Sequence, residues 1–276
     1  TYLNKSVIVI DNSDLLYTGE DIDGTVVRGT EASLILLSEQ FVKMGISVDY
    51  CNSTQKKSQV NGVNYFNKNK IIKNKQYDLA IVISDANEFR RVSSVKKAVF
   101  SNSNQPIEKF IRKKQLFPFL KYKPTLITLC DYQYKKRSFF TSFYGKKTIP
   151  ITVDPKFLDI EIDQNFLPEK KVVYNIRSNR NLDRLIKIWC DKIFPFNEDF
   201  KLYITPNLID YKDFHKKNNI FLRTIGSRSE MIDEMKNYRA LTYLGHKSDI
   251  FTLTAEEAIK MCLPVITFGI GSLKER

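Results

Sequence analysis

Short apolar runs that alternate with helix-patterned stretches restrict this chain more than any other feature. The run Asp78-Leu-Ala-Ile-Val-Ile-Ser84 is apolar at every interior position. A half-buried strand would alternate apolar with polar, so this one is read as covered on both faces, as in a parallel sheet between helical layers. Residues 6–11, 47–51, 97–102, 125–130 and 148–153 supply further strands. Residues 171–176, 200–205, 219–224 and 240–245 supply a second series. Helical stretches lie between them. Thr30 stands where it can cap a helix over 31–44, with Leu34, Leu37, Phe41 and Met44 on one face and Gly45 at its end. Asn181 is read as the cap of a helix over 182–194, and Ser227-Arg-Ser-Glu230 has the form of a capping box opening a helix to Tyr238. Strands alternating with helices predict an α/β fold.

The 276 residues suffice for about two domains. Pro150 to Pro155 reads as the crossover between them. The predicted organisation is two Rossmann-like doubly wound domains, 1–152 and 153–276, facing across a cleft. A ligand is expected at the carboxyl ends of the strands. The chain opens without Met and stops at Arg276 directly after a strand and a glycine turn, so the second domain is expected to be incomplete at its end.

Several function classes recede. No run of eighteen apolar residues is present, so no transmembrane helix is predicted. The first residues lack the form of a signal peptide, and a cytoplasmic location is expected. Cys51, Cys130, Cys190 and Cys262 are scattered without a C-x-x-C pair and read as free, buried thiols. The net charge of +13 is spread along the chain without a nucleic-acid motif, so no nucleic-acid partner is expected. The stretch from Lys109 to Lys123 interleaves bases with aromatics. It suits peripheral contact with the inner face of an anionic membrane, or a helix and connector with its apolar side on the core.

The closing residues, 247–276, hold the densest chemistry. Asp249 and Glu257 flank a passage from loop into helix, and residues 263–268 read as a buried strand ahead of Gly269-Ile-Gly271. A helix start offers free N–H groups and partial positive charge to a phosphate. Carboxylates offer paired acceptors to sugar hydroxyls. The combination suits a sugar nucleotide. Glu257 has a second reading, because Thr254-Ala-Glu-Glu257 is also a capping box in which it would satisfy the Thr254 backbone N–H. His246, one of two histidines, reads as a hydrogen-bonding wall residue of the same site.

Phe221, Gly226, Glu230, Tyr238, Ala240, Asp249, Phe251, Leu253, Glu257, Ala258, Pro264, Val265, Gly271 and Glu275 occur in that order along residues 219–276. This series resembles the donor-binding half of the retaining, GT-B-fold glycosyltransferases of family 4, the "glycosyl transferases group 1". A weaker likeness runs upstream. Gly24 to Gly45 resembles the family's glycine loop and first helix, with Gly29 and Thr30 at the turn. Val153-Asp-Pro-Lys-Phe157 resembles its domain crossover. Tyr174-Asn-Ile-Arg-Ser-Asn-Arg-Asn-Leu-Asp183 resembles its basic loop, which makes Arg180 the first phosphate ligand and Arg177 the second. Residues 52–77 and 101–124 match little and are expected to be acceptor-side loops. Three positions depart from the pattern. Asp249 stands in place of Glu, Thr252 in place of Gly, and Cys262 before Leu263-Pro264 in place of the Gly of Gly-x-Pro.

The resemblance implies transfer of a sugar from a nucleotide-diphosphate sugar to a hydroxyl of a glycan or lipid-linked acceptor. It implies retention of configuration, no metal and no other cofactor. The first domain would take the acceptor and the second the donor. Arg180, Arg177 and the N–H groups near Leu253 and Thr254 would stabilise the departing diphosphate. Asp249 would be the catalytic carboxylate, facing the sugar with the backbone of Phe251 and Thr252. Glu257 would hold the ribose. Asp21-Ile-Asp23 imitates the metal-binding D-x-D of another glycosyltransferase fold, but it lies in a loop after the first strand, and no metal is expected there. The alternative is a catalytically degenerate protein of the same fold that binds a nucleotide sugar without turning it over; Asp249 is the residue that raises it.

Overall fold

The structure, a computed structural model, describes residues 4–24, 27, 29–55, 57–70, 75–104, 106–137, 139–161, 166–177, 179–205, 218–223 and 226–275. Thr25, Val26 and Arg28 of the expected glycine loop, Ser178 of the basic loop and Thr224 lie outside the described residues. The chain divides into two compact units, Thr1–Thr152 and Val153–Arg276.

In the first unit, β1 (Ser6–Ile10), β2 (Ser47–Asn52), β3 (Ser58–Val60), β4 (Val63–Asn67), β5 (Gln76–Ile83), β6 (Ser93–Phe100), β7 (Thr125–Thr128) and β8 (Lys146–Thr148) form one sheet. Its order is β3-β4-β2-β1-β5-β6-β7-β8, with every pair parallel except β3 and β4. Successive residues of a strand face opposite sides. Ile8 and Ile10 of β1, Cys51 of β2 and Ala80 and Val82 of β5 therefore share one core, which Phe89, Phe110 and Phe119 complete. The last two come from α2 (Ile107–Arg112) and α3 (Leu116–Tyr122). α1 (Gly29–Lys43) packs on β2 and β4 and buries Ala32, Leu34 and Ile35. α4 (Asp131–Lys136) follows β7.

In the second unit, β9 (Lys171–Tyr174), β10 (Lys201–Ile204), β11 (Ile220–Leu222), β12 (Ala240–Thr242) and β13 (Val265–Ile266) run parallel in the order β11-β10-β9-β12-β13. α5 (Leu182–Ile188) continues through a π-helical turn at Trp189–Ile193 into α6 (Phe194–Phe196), and α7 (Arg228–Met235) and α8 (Leu253–Lys260) follow. Val172 and Tyr174 pack with Leu182, Leu185 and Trp189, while Val173 packs with Ile232, Met235, Leu241 and Ala258. Helices thus cover both faces. Each fully buried Val, Leu or Ile here contributes about 1.5–3 kcal/mol. In each sheet the order reverses beside an inner strand, β1 or β9, and such a switch point opens a crevice at the carboxyl ends of the strands.

Several expected elements differ. Residues 52–77 are not only loops, because β3 and β4 form a hairpin turned at Asn61 and Gly62, both at positive φ. Residues 101–124 carry α2 and α3. The expected strand over 148–153 is instead β8, three exposed residues ending at Thr148. Residues 263–268 are not a buried strand: β13 is a two-residue edge, with Ile266 and Phe268 exposed. α1 starts at Gly29, so Thr30 is inside the helix rather than its cap. Cys51 and Cys130 are buried, but Cys262 is exposed; all four thiols are free. Among the described residues no helix is long and apolar enough to cross a membrane.

Candidate functional site

The second unit gathers its charged groups at the carboxyl ends of β9, β11 and β12. The loop after β9 is fixed by its own backbone. The Tyr174 hydroxyl donates to the carbonyls of Arg177 (2.8 Å) and Arg180 (3.0 Å). Asn181 adopts a left-handed conformation at φ 65° and makes no side-chain cap; its amide donates to the Gly245 carbonyl beyond β12 instead. That bond ties the basic loop to the loop that carries His246 and Asp249.

Arg180 is aimed by this tie. Its Nε lies 2.9 Å from Asp249 Oδ1, and a terminal nitrogen lies 3.4 Å from His246 Nδ1. His246 Nδ1 also accepts from the Ser248 backbone N–H at 3.1 Å. A backbone N–H can only donate, so Nδ1 is the acceptor and the neutral ring carries its proton on Nε2. Asp249 Oδ2 accepts from the buried Tyr243 hydroxyl. Burial, reinforced by Asp249, pushes the Tyr243 phenol well up, so it stays a donor. Both oxygens of Asp249 are therefore engaged by side chains of the protein. Arg177 is exposed.

α8 begins directly after this cluster. Its N-cap is Thr252, without a side-chain cap bond, and Leu253 and Thr254 are its first two residues. The Thr254–Glu257 capping box is thus not formed, and Glu257 is an interior helix residue. Phe251 and Thr252 form the link from Asp249 into the helix, with Thr252 buried. The first N–H groups of a helix lack intrahelical acceptors, so this end can bind an anion. The Gly269–Gly271 turn braces the same loop. Ser272 N–H donates to the Asp249 carbonyl at 3.1 Å. Gly271 has φ 73°, and a Cβ there would overlap the His246 carbonyl oxygen.

Glu257 belongs to a second cluster. It is 6% exposed. Burial pushes its carboxyl up to about 7; Arg228 opposes the shift and Asp154 adds to it. Arg228, the first residue of α7, lies 3.3 Å from Asp154 Oδ2, and Asp154 also accepts from Lys156 N–H. The Ser227–Glu230 capping box forms and sets the start of α7. Beside it opens a cavity of about 470 Å³, lined in part by Tyr203, Leu222, Arg223, Gly226 and Met231. Arg223 is buried and pairs bidentately with Glu234 at 2.6 and 2.9 Å, and donates to Asn175 Oδ1 at 2.6 Å.

Gly29 and Thr30 stand in the first unit, where the Gly29 carbonyl accepts from Ser33 Oγ. Asp21 closes a capping box with Thr18, which occupies the carboxylate of the D-x-D imitation. Among the described residues no group of three or more His, Cys, Asp or Glu is arranged to hold a metal.

No protein-family model and no curated protein matches the sequence. Solved structures do. Sucrose-phosphate synthase of Thermosynechococcus elongatus is similar over 99% of this chain and 83% of its own, at 13% identity and a TM-score of 0.71. Trehalose-6-phosphate synthase, solved in work on glycosyl transfer with retention, is similar over 99% and 86%, at 10% identity and a TM-score of 0.62. TarM of S. aureus, solved with fondaparinux, α-GlcNAc-glycerol and UDP, is similar over 69% and 41%, at 15% identity and a TM-score of 0.52. The fold is GT-B.

On this GT-B framework the structure adds residues to those expected from the sequence. Tyr243, Arg228 and Arg223 were not singled out. Arg228 had a usable signal, since it follows the capping Ser227 and a cap fixes the direction of the next residues. Tyr243 and Arg223 sit within or just after apolar strands and gave none. Asp249 and Arg180 are brought together, while Glu257 belongs to the other cluster with Asp154 and Arg228.

Proposed function

We propose that the chain transfers a sugar from a nucleotide-diphosphate sugar to an acceptor hydroxyl, with the donor on the second unit. The observation that carries this is the Arg180 guanidinium, held by Asp249 and His246 beside the start of α8. A fixed cation and a helix N-terminus together suit a diphosphate and would stabilise the charge that grows on it as the sugar leaves. The other subsites follow along the sheet. Glu257, beside Arg228, accepts from the ribose hydroxyls, and the cavity near Gly226 takes the base. Leu253 and Thr254 supply N–H groups, and the backbone of Phe251 and Thr252 borders the sugar. Arg177 adds a second positive charge at the loop. The first unit, with Gly29 and Thr30 at the head of α1, takes the acceptor.

Asp249 is assigned a different task from the sugar contact its position suggests. With Oδ1 on Arg180 and Oδ2 on Tyr243, it acts by aiming Arg180. Retention of configuration accords with the similar trehalose-6-phosphate synthase, and no step requires a metal. The engagement of Asp249 also favours a second reading, a nucleotide-sugar binder without turnover.

Thermal stabilisation and donor hydrolysis across a panel of nucleotide sugars test both. At least one donor should raise the melting temperature, and Arg180→Ala should weaken it ten- to a hundredfold, as expected for loss of about 1.5–3 kcal/mol of charge-assisted hydrogen bonding. Stabilisation without hydrolysis or transfer supports the binder. Stabilisation by no donor removes the reading altogether.

A further inference from the structure

The first unit carries an apolar face outside the residues assigned to the donor. α2 and α3 each turn one apolar row inward and another outward. Phe110 and Phe119 are buried with rings 5.2 Å apart. Ile107 and Ile111 on α2, and Leu116, Phe117 and Leu120 on α3, are exposed. The i, i+4 spacing of Ile107 with Ile111, and of Leu116 with Leu120, makes each row a helix face rather than a scatter. α3 packs against the turn Phe139–Ser142, which adds Phe139 and Phe140, with Phe143 next in the chain. The Phe139 ring lies 6.1 Å from Phe140 and 6.0 Å from Phe143. Phe117 is 70% exposed and Phe139 67%. Single exposed apolar residues need no explanation, but a set of this size on adjoining elements marks an interaction surface.

Charge decides what covers it. Residues 107–147 hold eleven Lys and Arg against two acids, Glu108 and Asp131, so this stretch supplies most of the chain's +13. The bases stand among the rings. Lys121 Nζ lies 5.8 Å from the Phe117 ring, and Lys123 Nζ 5.9 Å from that of Tyr144. Burial, and after it the charges of Lys113 and Arg112, hold the Lys109 ammonium below its ordinary pKa. An apolar protein partner would not call for this charge. A nucleic acid would not call for aliphatic rows on two helices. A lipid surface with anionic headgroups meets both, taking the bases at the headgroups and the Phe, Leu and Ile side chains at the acyl boundary.

We propose that α2, α3 and the 139–143 turn form a docking face for an anionic membrane surface. The proposal is independent of the donor reading and would stand if that reading fell.

Co-sedimentation of the full chain with vesicles tests it, comparing phosphatidylglycerol–phosphatidylcholine with phosphatidylcholine alone at low and high salt. The chain should bind the anionic vesicles, bind neutral ones at least tenfold more weakly, and lose affinity as salt rises. Phe117→Ser combined with Phe139→Ser, and separately Lys113→Glu combined with Lys121→Glu, should each lower anionic binding at least tenfold. All four residues are exposed, so unchanged melting temperatures confirm that the variants fold. No binding to anionic vesicles, or binding indifferent to the Phe pair, overturns the proposal. So does a dimer in sedimentation that the Phe pair dissolves, which would assign the face to a second copy. Binding of an oligonucleotide that displaces the vesicles would assign it to nucleic acid instead.

Discussion

Replacing Asp249 by Asn would leave Arg180 facing a neutral amide where it now has a carboxylate at 2.9 Å. Breaking a fully buried pair costs about 3–5 kcal/mol. The Arg180 side chain keeps 21% exposure, so Asp249→Asn should cost less, about 2 kcal/mol in urea denaturation. Donor affinity should fall with it, because the guanidinium loses its aim. Tyr243→Phe removes only the hydroxyl bond to the other oxygen and should cost about 1 kcal/mol with donor affinity nearly kept. If the Asn variant binds donor like the parent, Asp249 is not the anchor of Arg180. Glu257 makes a separate prediction. Its folded carboxyl titrates near 7 against an ordinary value of 4.5, with Arg228 and Asp154 facing it. Between those values the folded state holds more protons than the unfolded one. Stability from this group is therefore full below about 4.5, falls as pH rises to about 7, and is level above, a change on the order of 3 kcal/mol. Glu257→Gln should flatten that decline in denaturation series across the window. An equal decline in the variant would show that other groups carry it.

Gly271 shows how an element-level constraint reaches the site. At φ 73°, with the His246 carbonyl against the place a Cβ would occupy, Gly271→Ala must displace one of the two turns. A cost of about 2 kcal/mol is expected, larger than the strain of positive φ alone. Because the displaced turn carries His246 and Asp249, donor affinity should drop more than tenfold even where the protein remains folded. Loss of stability with unchanged affinity would make the turn a scaffold only. The elements themselves were unevenly legible in the sequence. The run from Asp78 to Ser84 announced a central strand, and Ser227 to Glu230 announced the start of α7, because burial on both faces and reciprocal capping leave local signatures. The β3–β4 hairpin was missed although Asn61-Gly62 signals such a turn; the Lys- and Asn-rich stretch around it masked two short strands. Residues 263–268 looked buried because they are apolar, but only Val265 and Ile266 form a strand, at the sheet's edge, and Ile266 and Phe268 are exposed. The sequence offered Arg180, Asp249 and Glu257 as separate candidates and not as pairs. Nothing local in the chain joins Arg180 to Asp249, or brings Glu257 into the field of Arg228 and Asp154, since these groups come together only once α5, α7 and α8 have packed on one sheet.

Over the whole molecule, two mainly parallel sheets are built on one plan and carry different surfaces. The second gathers acids and arginines at its strand ends, while the first spreads lysines and exposed rings over α2, α3 and the turn that follows. This division predicts where a donor should be felt. Ligand at one hundred times its dissociation constant stabilises the bound state by about 2.7 kcal/mol. Amides that exchange only when the site opens should therefore slow by up to about a hundredfold. Hydrogen exchange with and without a saturating nucleotide sugar should show this protection at residues 171–182, 226–235 and 245–260. The outer strands β6, β7 and β8 of the first unit should exchange at unchanged rates, since donor binding leaves their packing as it is. Protection confined to the first unit would move the nucleotide to the other sheet and remove Arg180 and Glu257 from its site. Protection of residues 245–260 alone would keep the diphosphate at the head of α8 and take the base away from the cavity beside Gly226.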